Sequence, residues 1–409
     1  MIIYEKALSV ILSKAKPLSQ EHVPLESLHG HVLAKPVISK IDMPLFDNSA
    51  VDGYGVCISD LKNVTSNSPA KLNLLGAIYA GDKVNIVLKK GFAIKILTGA
   101  LIPKGVEAVV MKEYCEERNG VVFVSRSIWL GENIRKKGEE FAKGQKVLEK
   151  GLYVTPPIVG LIASMGYDSF LCYRKPYISV IVTGSELVAP GKKLKPGKIY
   201  ESNSYTISSG LSELGFDKHD VIVLKDDRAL IKNQIFKALK KADVVITVGG
   251  ISVGEKDFIK DVLEEISVQT FFTSIAMKPA KPNYFGVYAK NKISKLVFGL
   301  PGNPVSALLS FHQLIKPALF KLMGHNDFKS KQVNAELQDS LKKKAGRLEF
   351  VRGEAIRHKG VLSVKPTFGQ GSHMLSGIAK ANCLIRFPKD KEFIPKGENV
   401  TLELLNWNG

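Results

Sequence analysis

Cysteine is scarce in this sequence, and the few cysteines are far apart. None of the four belongs to a Cys-x-x-Cys pair. The pattern therefore excludes a zinc ribbon and a disulfide scaffold, and it indicates reduced thiols in a cytoplasmic protein. The four residues are Cys57, Cys115, Cys172 and Cys383.

Long apolar runs are also absent. No stretch approaches the ~20 consecutive apolar residues that a membrane helix needs. The N-terminal segment carries Glu5 and Lys6 within its apolar pattern and has no small-residue cleavage site. We therefore expect neither a signal peptide nor a membrane span.

Acidic residues are few relative to basic ones. The chain has 58 Lys and Arg against 39 Asp and Glu, which gives a formal net charge of +19. Such a charge attracts polyanions, phosphorylated small molecules and oxyanions alike. No basic-aromatic module is present, and Lys342–Lys344 is interpreted as a solvated run, so nucleic acid is the least favoured partner.

The length and the residue pattern predict several domains. A chain of 409 residues exceeds one ordinary core, and its composition of 45% apolar and 24% charged residues is typical of folded proteins. Residues 4–14 and 151–166 have helical patterns, residues 45–144 read as short β-strands, and residues from about 330 onward suggest a small β-barrel.

Between about 175 and 325 the pattern alternates between strand and helix. The strands "YISVIVTG", "KHDVIVL" and "DVVITVGG" are each followed by an amphipathic helical segment. This alternation predicts a parallel sheet covered by helices, with a ligand crevice beyond the carboxyl ends of the strands. The fold class is therefore α/β plus β in a multidomain chain.

Three loops of the predicted β region carry candidate functional groups. In "FDNSAVDGYGV" we favour Asp52 as a working carboxylate, and Asp47 as an Asx-turn residue that bonds its own backbone. In "LTGALIPKG", the hydroxyl of Thr98 and nearby amides suit an oxyanion. In "GENIRKKGEE", Arg135 suits phosphate and Glu140 suits a metal.

The strand-end loops of the α/β region supply a second group of candidates. Carboxylates at these ends favour Mg²⁺, and glycine amides near helix starts favour phosphate. The metal candidates are Glu186 and Asp257, with Asp227 as a third carboxylate. The candidates for substrate binding are Gly184, Ser185, Gly249, Gly250 and Ser252.

Two proline-rich segments complete the set. Pro301 and Pro304 stiffen the turn "GLPGNPVS", and "MKPAKPNYFG" places Lys278 and Lys281 between prolines. Rigid loops with fixed cations suit a multiply charged anion. Rigidity alone would explain the prolines but not the lysines.

These segments, in this order, resemble the molybdopterin molybdenumtransferase family, the MoeA-type enzymes related to the C-terminal domain of gephyrin. The motifs that carry the resemblance are "FDNSAVDGYGV", "TGALIPKGVEAVV", "GENIRKKGEE", "GGISVGEKDF" and "GLPGNPVS", followed by "GRLEFVRG" and "GQGSHML". The resemblance covers nearly the whole chain.

The resemblance implies four domains and an elongated homodimer. The expected domains are a helical linker domain (1–44 and 145–174), a β domain (45–144), an α/β molybdopterin-binding domain (175–326) and a C-terminal β-barrel (327–409). It also implies an active site in a cleft where one subunit's α/β domain faces the β domain of the partner.

The implied reaction inserts molybdate into adenylylated molybdopterin and releases AMP with Mg²⁺. The residues carried over from the family are Asp52, Thr98, Glu140, Glu186, Asp227, Asp257, Pro301 and Pro304. No cysteine or serine nucleophile is required, because positioning and charge stabilisation would carry the catalysis.

Three departures and two alternatives accompany the resemblance. Ser185 and Glu140 stand where Asp is frequent, and Ala280 stands where the family has Gly, so the metal geometry is open. A molybdopterin adenylyltransferase is one alternative, although its family lacks the β domain and barrel. A gephyrin-like scaffold is the other, although a scaffold need not keep these acids. An adenylyltransferase is also a possible partner.

Overall fold

A computed structural model describes residues 1–251, 258–290, 293–327 and 330–405. The chain divides into two compact units. Unit 1 contains Met1–Ala34, Gly151–Thr155 and Leu171–Gly409, and unit 2 contains Lys35–Lys150 and Pro156–Phe170. The predicted division into four domains stays a prediction.

The helices of the described residues are short. They are α1 (Tyr4–Lys14), α2 (Pro156–Ser164), α3 (Asn203–Glu213), α4 (Arg228–Lys241), α5 (Ile259–Glu265), α6 (Pro304–Ser310), α7 (Lys316–Leu322) and α8 (Leu375–Ala379). A π-helical turn, Phe311–Ile315, joins α6 to α7. None of the described helices is long and apolar enough to cross a membrane.

The strands fall into three consecutive sets. The first set is β1 (Gln20–Pro24), β2 (Val32–Leu33), β3 (Val37–Ile38), β4 (Asn48–Ser49), β5 (Gly53–Val56), β6 (Ala70–Ile78), β7 (Phe92–Ile96), β8 (Ala108–Met111), β9 (Cys115–Arg118), β10 (Val121–Val124), β11 (Ile134–Arg135), β12 (Lys146–Leu148) and β13 (Ser169–Tyr173). The second is β14 (Ile178–Thr183), β15 (Leu187–Val188), β16 (Ile199–Tyr200), β17 (His219–Leu224), β18 (Val244–Val248), β19 (Gln269–Ser274), β20 (Met277–Lys278), β21 (Pro282–Lys290) and β22 (Ile293–Leu300). The third is β23 (Gln332–Leu337), β24 (Leu341–Lys342), β25 (Leu348–His358), β26 (Val361–Pro366), β27 (Cys383–Phe387), β28 (Phe393–Ile394) and β29 (Asn399–Leu404).

The central sheet of unit 1 has six strands in the order β17-β14-β18-β22-β21-β19. The strands β17, β14, β18 and β22 are parallel, as the alternating pattern predicts. At the other edge, β21 pairs antiparallel with both β22 and β19, so the sheet is mixed. Only two residues separate β21 from β22 in the sequence, which is too short for a crossover helix.

Both faces of this sheet are covered. Val180 and Val182 of β14 point to one apolar cluster, and Ile181 points to the other. Every side chain of β14 and β18 is buried, which explains why both strands read as continuous apolar runs. The parallel strands therefore end at one rigid edge, from which the following loops start.

The C-terminal strands of unit 1 form the predicted barrel. Its strands pair in the order β25-β26-β23-β29-β27, and β27 pairs back with β25 to close the five-stranded barrel. A separate ladder joins β25 to β20, where Met277 and Lys278 lie beside Leu348 and Glu349. This ladder places barrel residues next to the loop that follows β19.

Unit 2 is built on a second six-stranded sheet, in the order β8-β5-β7-β6-β10-β9. Its pairs are antiparallel except β6 with β7. The short strand β11 pairs with β4, which ties the 131–144 segment to the loop that precedes β5. The mainly β character predicted for residues 45–144 is confirmed.

Candidate functional site

Unit 1 contains a cavity of about 650 Å³ beyond the carboxyl ends of the parallel strands. Ligands of open α/β sheets bind in this position. Six predicted site residues line it: Gly184, Glu186, Gly249, Gly250, Lys278 and Pro301. The remaining lining comes from neighbouring loops and from the barrel.

Two glycines of the cavity lining use their amides within the fold. The Gly184 amide donates to the Leu224 carbonyl, and the Gly249 amide donates to the Leu300 carbonyl. Both amides therefore have backbone acceptors in this structure, and their role as phosphate donors stays a prediction. A Cβ on Gly249 would lie 2.5 Å from the Thr183 carbonyl oxygen, and φ is +91° there, so glycine is required.

One side of the cavity is acidic. The Asp226 carboxylate accepts from the Ser185 amide at 2.7 Å, and the Ser185 hydroxyl accepts from the Asp226 amide at 3.1 Å. This reciprocal pair locks the two loops that carry Glu186 and Asp226 into the lining. Asp227 instead caps α4, where its carboxylate accepts from the Leu230 amide.

The opposite side of the cavity carries cations. The Lys278 ammonium lies 3.0 Å from Glu349 Oε1, and Arg347 also contributes to the lining. Lys278 is half exposed and Glu349 is 13% exposed, so the carboxylate is the enclosed partner. Glu349 Oε2 is buried and has no hydrogen-bond partner within the described part of the chain.

A buried arginine holds the barrel wall of the cavity. The Arg352 guanidinium donates to the carbonyls of Gly369 (2.9 Å) and Gly371 (3.3 Å). The Gln370 amide group bonds both the N–H and the carbonyl of Arg352. Burial lowers the pKa of Arg352 to about 10. Because Gln370, Gly371 and Ser372 line the cavity, Arg352 shapes this wall from behind.

The proline turn forms the remaining edge. Pro301, Gly302 and Asn303 line the cavity, while Pro304 begins α6. The Asn203 side chain donates to the Gly302 carbonyl at 2.8 Å, which ties the turn to α3. Asn203 Oδ1 and Thr183 Oγ1 are both buried and have no partner among the residues that the structure describes.

In unit 2, two predicted residues form a contact. Asp52 Oδ1 accepts from the Thr98 amide at 2.9 Å and from its hydroxyl at 2.7 Å. Lys112 lies 3.7 Å from the other oxygen. The two hydrogen bonds from Thr98, with a smaller contribution from Lys112, hold the pKa of Asp52 below its usual value. The carboxylate is therefore ionised at neutral pH.

The neighbouring loop of unit 2 is held by Asp47. Its carboxylate accepts from the Lys137 amide and from the Lys136 ammonium, both at 2.9 Å. The interpretation of Asp47 as an Asx-turn residue is therefore wrong, because its partners are distant in sequence. The side chains of Arg135 and Glu140, both predicted site residues, are exposed in this segment.

Three family models match consecutive parts of the chain. "MoeA N-terminal region (domain I and II)" matches residues 2–166, "Probable molybdopterin binding domain" matches 179–321, and "MoeA C-terminal region (domain IV)" matches 334–405. A molybdopterin molybdenumtransferase of Haemophilus influenzae is 38% identical over 99% of both chains. The chain belongs to the molybdopterin molybdenumtransferase (MoeA) family.

Other members of the family match this chain along nearly its whole length. The molybdopterin molybdenumtransferase 2 of Mycobacterium tuberculosis is 33% identical over 97% of both chains. The crystal structure of the molybdopterin biosynthesis MoeA protein from Pyrococcus horikoshii OT3 has a TM-score of 0.82 and 31% identity, and the match covers 99% of this chain and 100% of that one. The multidomain fold is therefore that of the MoeA family.

Four other predicted site residues do not join the lining within the described ranges. Asp227 and Pro304 serve helix starts, and Ser185 acts through Asp226. Lys281 is exposed, and its carbonyl accepts from the Ile275 amide. Ser252 and Asp257 lie outside the described residues.

Sequence reasoning missed several residues of the cavity. They are Asp226, Arg347, Glu349 and Gln370, joined by Asn203 behind the proline turn. Asp226 precedes Asp227 in "KDDR". The position of Asp227 three residues before Leu230 is typical of a helix cap, and this pattern could have indicated that Asp226 is the carboxylate left for the cavity. Glu349 and Gln370 lie within "GRLEFVRG" and "GQGSHML", two motifs of the family resemblance, but no single residue in these motifs was proposed for the site.

The acidic side fits a magnesium ion. Glu186, Asp226 and the hydroxyl of Thr183 offer only oxygen, the ligand type that Mg²⁺ prefers, and Mg²⁺ commonly takes one or two carboxylates plus substrate phosphate. Outside the gaps at 252–257, 291–292, 328–329 and 406–409, no group of three or more acid, His or Cys side chains could hold a metal. A site here would therefore need ligand oxygens as well.

Proposed function

We propose that this protein inserts molybdate into adenylylated molybdopterin and releases AMP. Its family membership makes it a transferase of molybdenum cofactor biosynthesis, and the proposal adds the substrates and the step. The observation that carries it is the distribution of charge in one cavity. Glu186 and Asp226 follow β14 and β17 at one edge of the sheet, whereas Lys278 follows β19 at the other edge and Arg347 precedes β25.

This polarity suits two anionic substrates that repel each other. Lys278 and Arg347 would hold phosphate oxygens, and the guanidinium offers a bidentate grip. Glu349 holds the Lys278 ammonium through their ion pair, so the cation is placed before a ligand arrives. Positioning of this kind removes part of the entropic cost of the reaction.

Magnesium dependence is part of the proposal. Glu186 and Asp226 would hold the ion, with Asp257 as the further carboxylate that the family resemblance implies. When bound, Mg²⁺ would neutralise negative charge on the phosphates. The Ser185–Asp226 bonds keep the Asp226 carboxylate at the cavity, and Asp227 keeps the following helix in place.

The decisive experiment measures AMP. Purified protein with adenylylated molybdopterin, Mg²⁺ and molybdate should release AMP, and release should stop when molybdate is omitted. Asp226→Asn and Glu186→Gln should each lower the rate at least a hundredfold, about 3 kcal/mol of activation free energy. Lys237→Gln, on the exposed side of α4, is the matched control and should leave the rate unchanged.

Two outcomes would redirect the proposal. Formation of adenylylated molybdopterin from ATP and free molybdopterin would favour an adenylyltransferase. Tight binding of a protein ligand without any AMP release would favour a scaffold. Molybdate-independent release of AMP would contradict molybdate insertion directly.

We also propose that the protein acts as a homodimer with a site shared between subunits. The family resemblance implies that Asp52, Thr98 and Glu140 of one subunit complete the site of the other. Mixing inactive Asp52→Ala and Glu186→Ala proteins should then restore about a quarter of the wild-type rate, because half of the dimers are mixed and each keeps one intact site. No restoration after exchange of subunits would contradict a shared site. An adenylyltransferase as supplier of the substrate and a cytoplasmic location both stay predictions.

A further inference from the structure

A basic segment follows the acidic side of the cavity directly. Residues 187–200 contain four lysines, Lys192, Lys193, Lys195 and Lys198, and neither an acid nor an arginine. We call residues 187–200 the lysine segment. Nothing in the proposed reaction uses it, since its lysines do not line the cavity formed by the described residues.

The lysine segment has a defined conformation. Its two ends pair in parallel through β15 and β16, and the Ile199 amide donates to the Glu186 carbonyl. The Tyr200 hydroxyl donates to the Lys192 carbonyl, which closes the intervening loop. The Lys198 ammonium donates to the Ser185 carbonyl at 2.8 Å, so the segment is tied to the mouth of the cavity.

The surface of the lysine segment combines lysine side chains with exposed apolar side chains. All residues from 189 to 200 are exposed. Leu194 is 39% exposed, Ile199 56% and Tyr200 47%. None of the four lysines forms an ion pair with an acid in the described ranges of the chain. Isolated exposed apolar residues are ordinary. Here three of them lie among four lysines, so the surface offers apolar area and positive charge together.

We propose that the lysine segment is a docking surface for a partner protein whose surface is acidic around an apolar centre. Opposite charge on the partner would speed association and set its orientation. Leu194, Ile199 and Tyr200 would then be covered in the complex. A protein docked here sits beside Glu186, so it would be placed to deliver the cavity's ligand or to receive its product. The docking surface itself does not depend on the proposed reaction.

Two other occupants fit less well. A polynucleotide is held through many contacts from arginine, lysine and polar groups to its phosphates, whereas this surface offers four lysines, no arginine and three apolar side chains. A second copy docked through the same segment would bring four lysines against four others, and like charges in such an isologous contact repel. In the homodimer proposed above, another subunit would instead approach the cavity through its unit 2, and the sedimentation measurement described below detects such a contact.

The test uses the full-length protein and a defined probe. The probe is a fluorescein-labelled 16-residue peptide that alternates Glu and Asp with Leu and Phe, and its binding is followed by anisotropy at 150 mM and 500 mM NaCl. We expect a Kd below 100 µM at the lower salt. The variant K192E/K193E/K195E should weaken binding at least tenfold, and L194S/I199S at least threefold. Lys198 is left intact because it bonds Ser185.

A charge-matched control separates docking from net charge. The variant K62E/K237E/K240E changes the net charge by the same amount at exposed positions elsewhere, and it should bind the peptide as the wild type does. Absence of binding by the wild type, or equal loss in both triple variants, would overturn the proposal. A 16-nucleotide single strand that binds more tightly than the peptide would also overturn it.

Two further measurements complete the design. A change in sedimentation behaviour of K192E/K193E/K195E would show an interface between copies and would contradict an acidic partner. AMP release by this variant with free substrate should stay within twofold of the wild type, since its lysines lie outside the cavity. Failure of the proposed reaction would remove AMP release from the wild type too, and peptide binding would still decide the docking proposal.

Discussion

The cavity of unit 1 and the Asp52–Thr98 loop of unit 2 differ in whether their polar groups have hydrogen-bond partners. In the loop, the exposed carboxylate has two donors from Thr98 and a nearby Lys112. In the cavity wall, Thr183 Oγ1 and Glu349 Oε2, with Asn203 Oδ1 behind the proline turn, are enclosed without partners in the described chain. Because unsatisfied buried atoms cost free energy, the cavity is the part whose structure is costly to maintain, whereas the loop supports itself.

The largest effect that would sharpen this comparison is expected at the cavity floor. Gly249→Ala places a methyl group 2.5 Å from the Thr183 carbonyl oxygen. We expect a loss of about 3 kcal/mol of unfolding free energy and at least a hundredfold slower AMP release. Urea denaturation and the AMP assay measure the two effects.

Gly144→Ala in unit 2 is the control for backbone strain. Gly144 also has a positive φ, +84°, but a Cβ there meets nothing within 4 Å. It should lose only the ~1–2 kcal/mol of left-handed strain and keep its activity. Equal losses in the two variants would show that the close approach at Gly249 has no importance.

The next largest loss of unfolding free energy is expected at Arg352, which supports the barrel wall of the cavity. Arg352→Lys leaves one ammonium where a guanidinium reached the carbonyls of Gly369 and Gly371, and it should cost about 2–3 kcal/mol. Arg357→Lys, at an exposed position of the same strand, should stay within about 0.5 kcal/mol of the wild type. Similar values for both variants would remove Arg352 as the support of this wall.

A smaller effect of opposite sign is expected at Ala280. This cavity residue has φ +75°, in the left-handed region that disfavours a side chain. Ala280→Gly should raise the unfolding free energy by about 1 kcal/mol, since the relief of strain exceeds the entropy that glycine adds to the unfolded chain. Ala289→Gly, in the strand β21 and without positive φ, should lower it by about 0.5–1 kcal/mol. Effects of the same sign would contradict the strain argument.

The smallest effect belongs to the loop of unit 2. The pKa of Asp52 is lowered in the folded state, so its ionised form adds stability above the ordinary carboxyl pKa of about 4. That stability is lost as the pH falls below 4 and the carboxylate is protonated. The difference in melting temperature between wild type and Asp52→Asn should therefore stay constant from pH 8 to 5 and shrink at pH 3.5. Thr98→Val, which keeps the amide donor, should show part of the difference, and a difference that does not shrink at all below pH 4 would contradict the assignment.

The elements of the fold could be predicted because their patterns are local. The strands β14, β17 and β18 and the helices α3 and α4 lie within the segments indicated by the alternation, and the closed barrel is confirmed. The antiparallel pairing of β21 with β19 and β22 was not predicted, because the residues of one strand do not show whether the neighbouring strand runs parallel or antiparallel to it. Only the short link between β21 and β22 carries that information.

The cavity was harder to predict than the fold. Glu186 was found from a loop at a strand end, and Lys278 was found from its place between prolines; the fold brings both to the cavity. Asp226 was missed because its neighbour Asp227 has the same side chain, and only the capping bond to Leu230 distinguishes them. Glu349 was missed because the β20–β25 ladder, a pairing between distant segments, places it at the site. Gln370 was missed because its position depends on its bonds to the Arg352 backbone.

The chain path between the two units has a consequence for folding. Leu33 of β2 pairs with Cys172 of β13, and the Ala34 amide donates to the Leu171 carbonyl at 2.9 Å. Every residue of unit 2 lies between these partners in the sequence. The ribosome must therefore synthesise all of unit 2 before this ladder can form. If unit 2 has already folded, the effective loop between the two strands is shorter, and the entropic cost of closing it is lower. The same ladder holds Ala34, where the chain leaves unit 1, next to Leu171, where unit 1 resumes after the last segment of unit 2. Lengthening or exchanging the residues of unit 2 would therefore leave this junction intact.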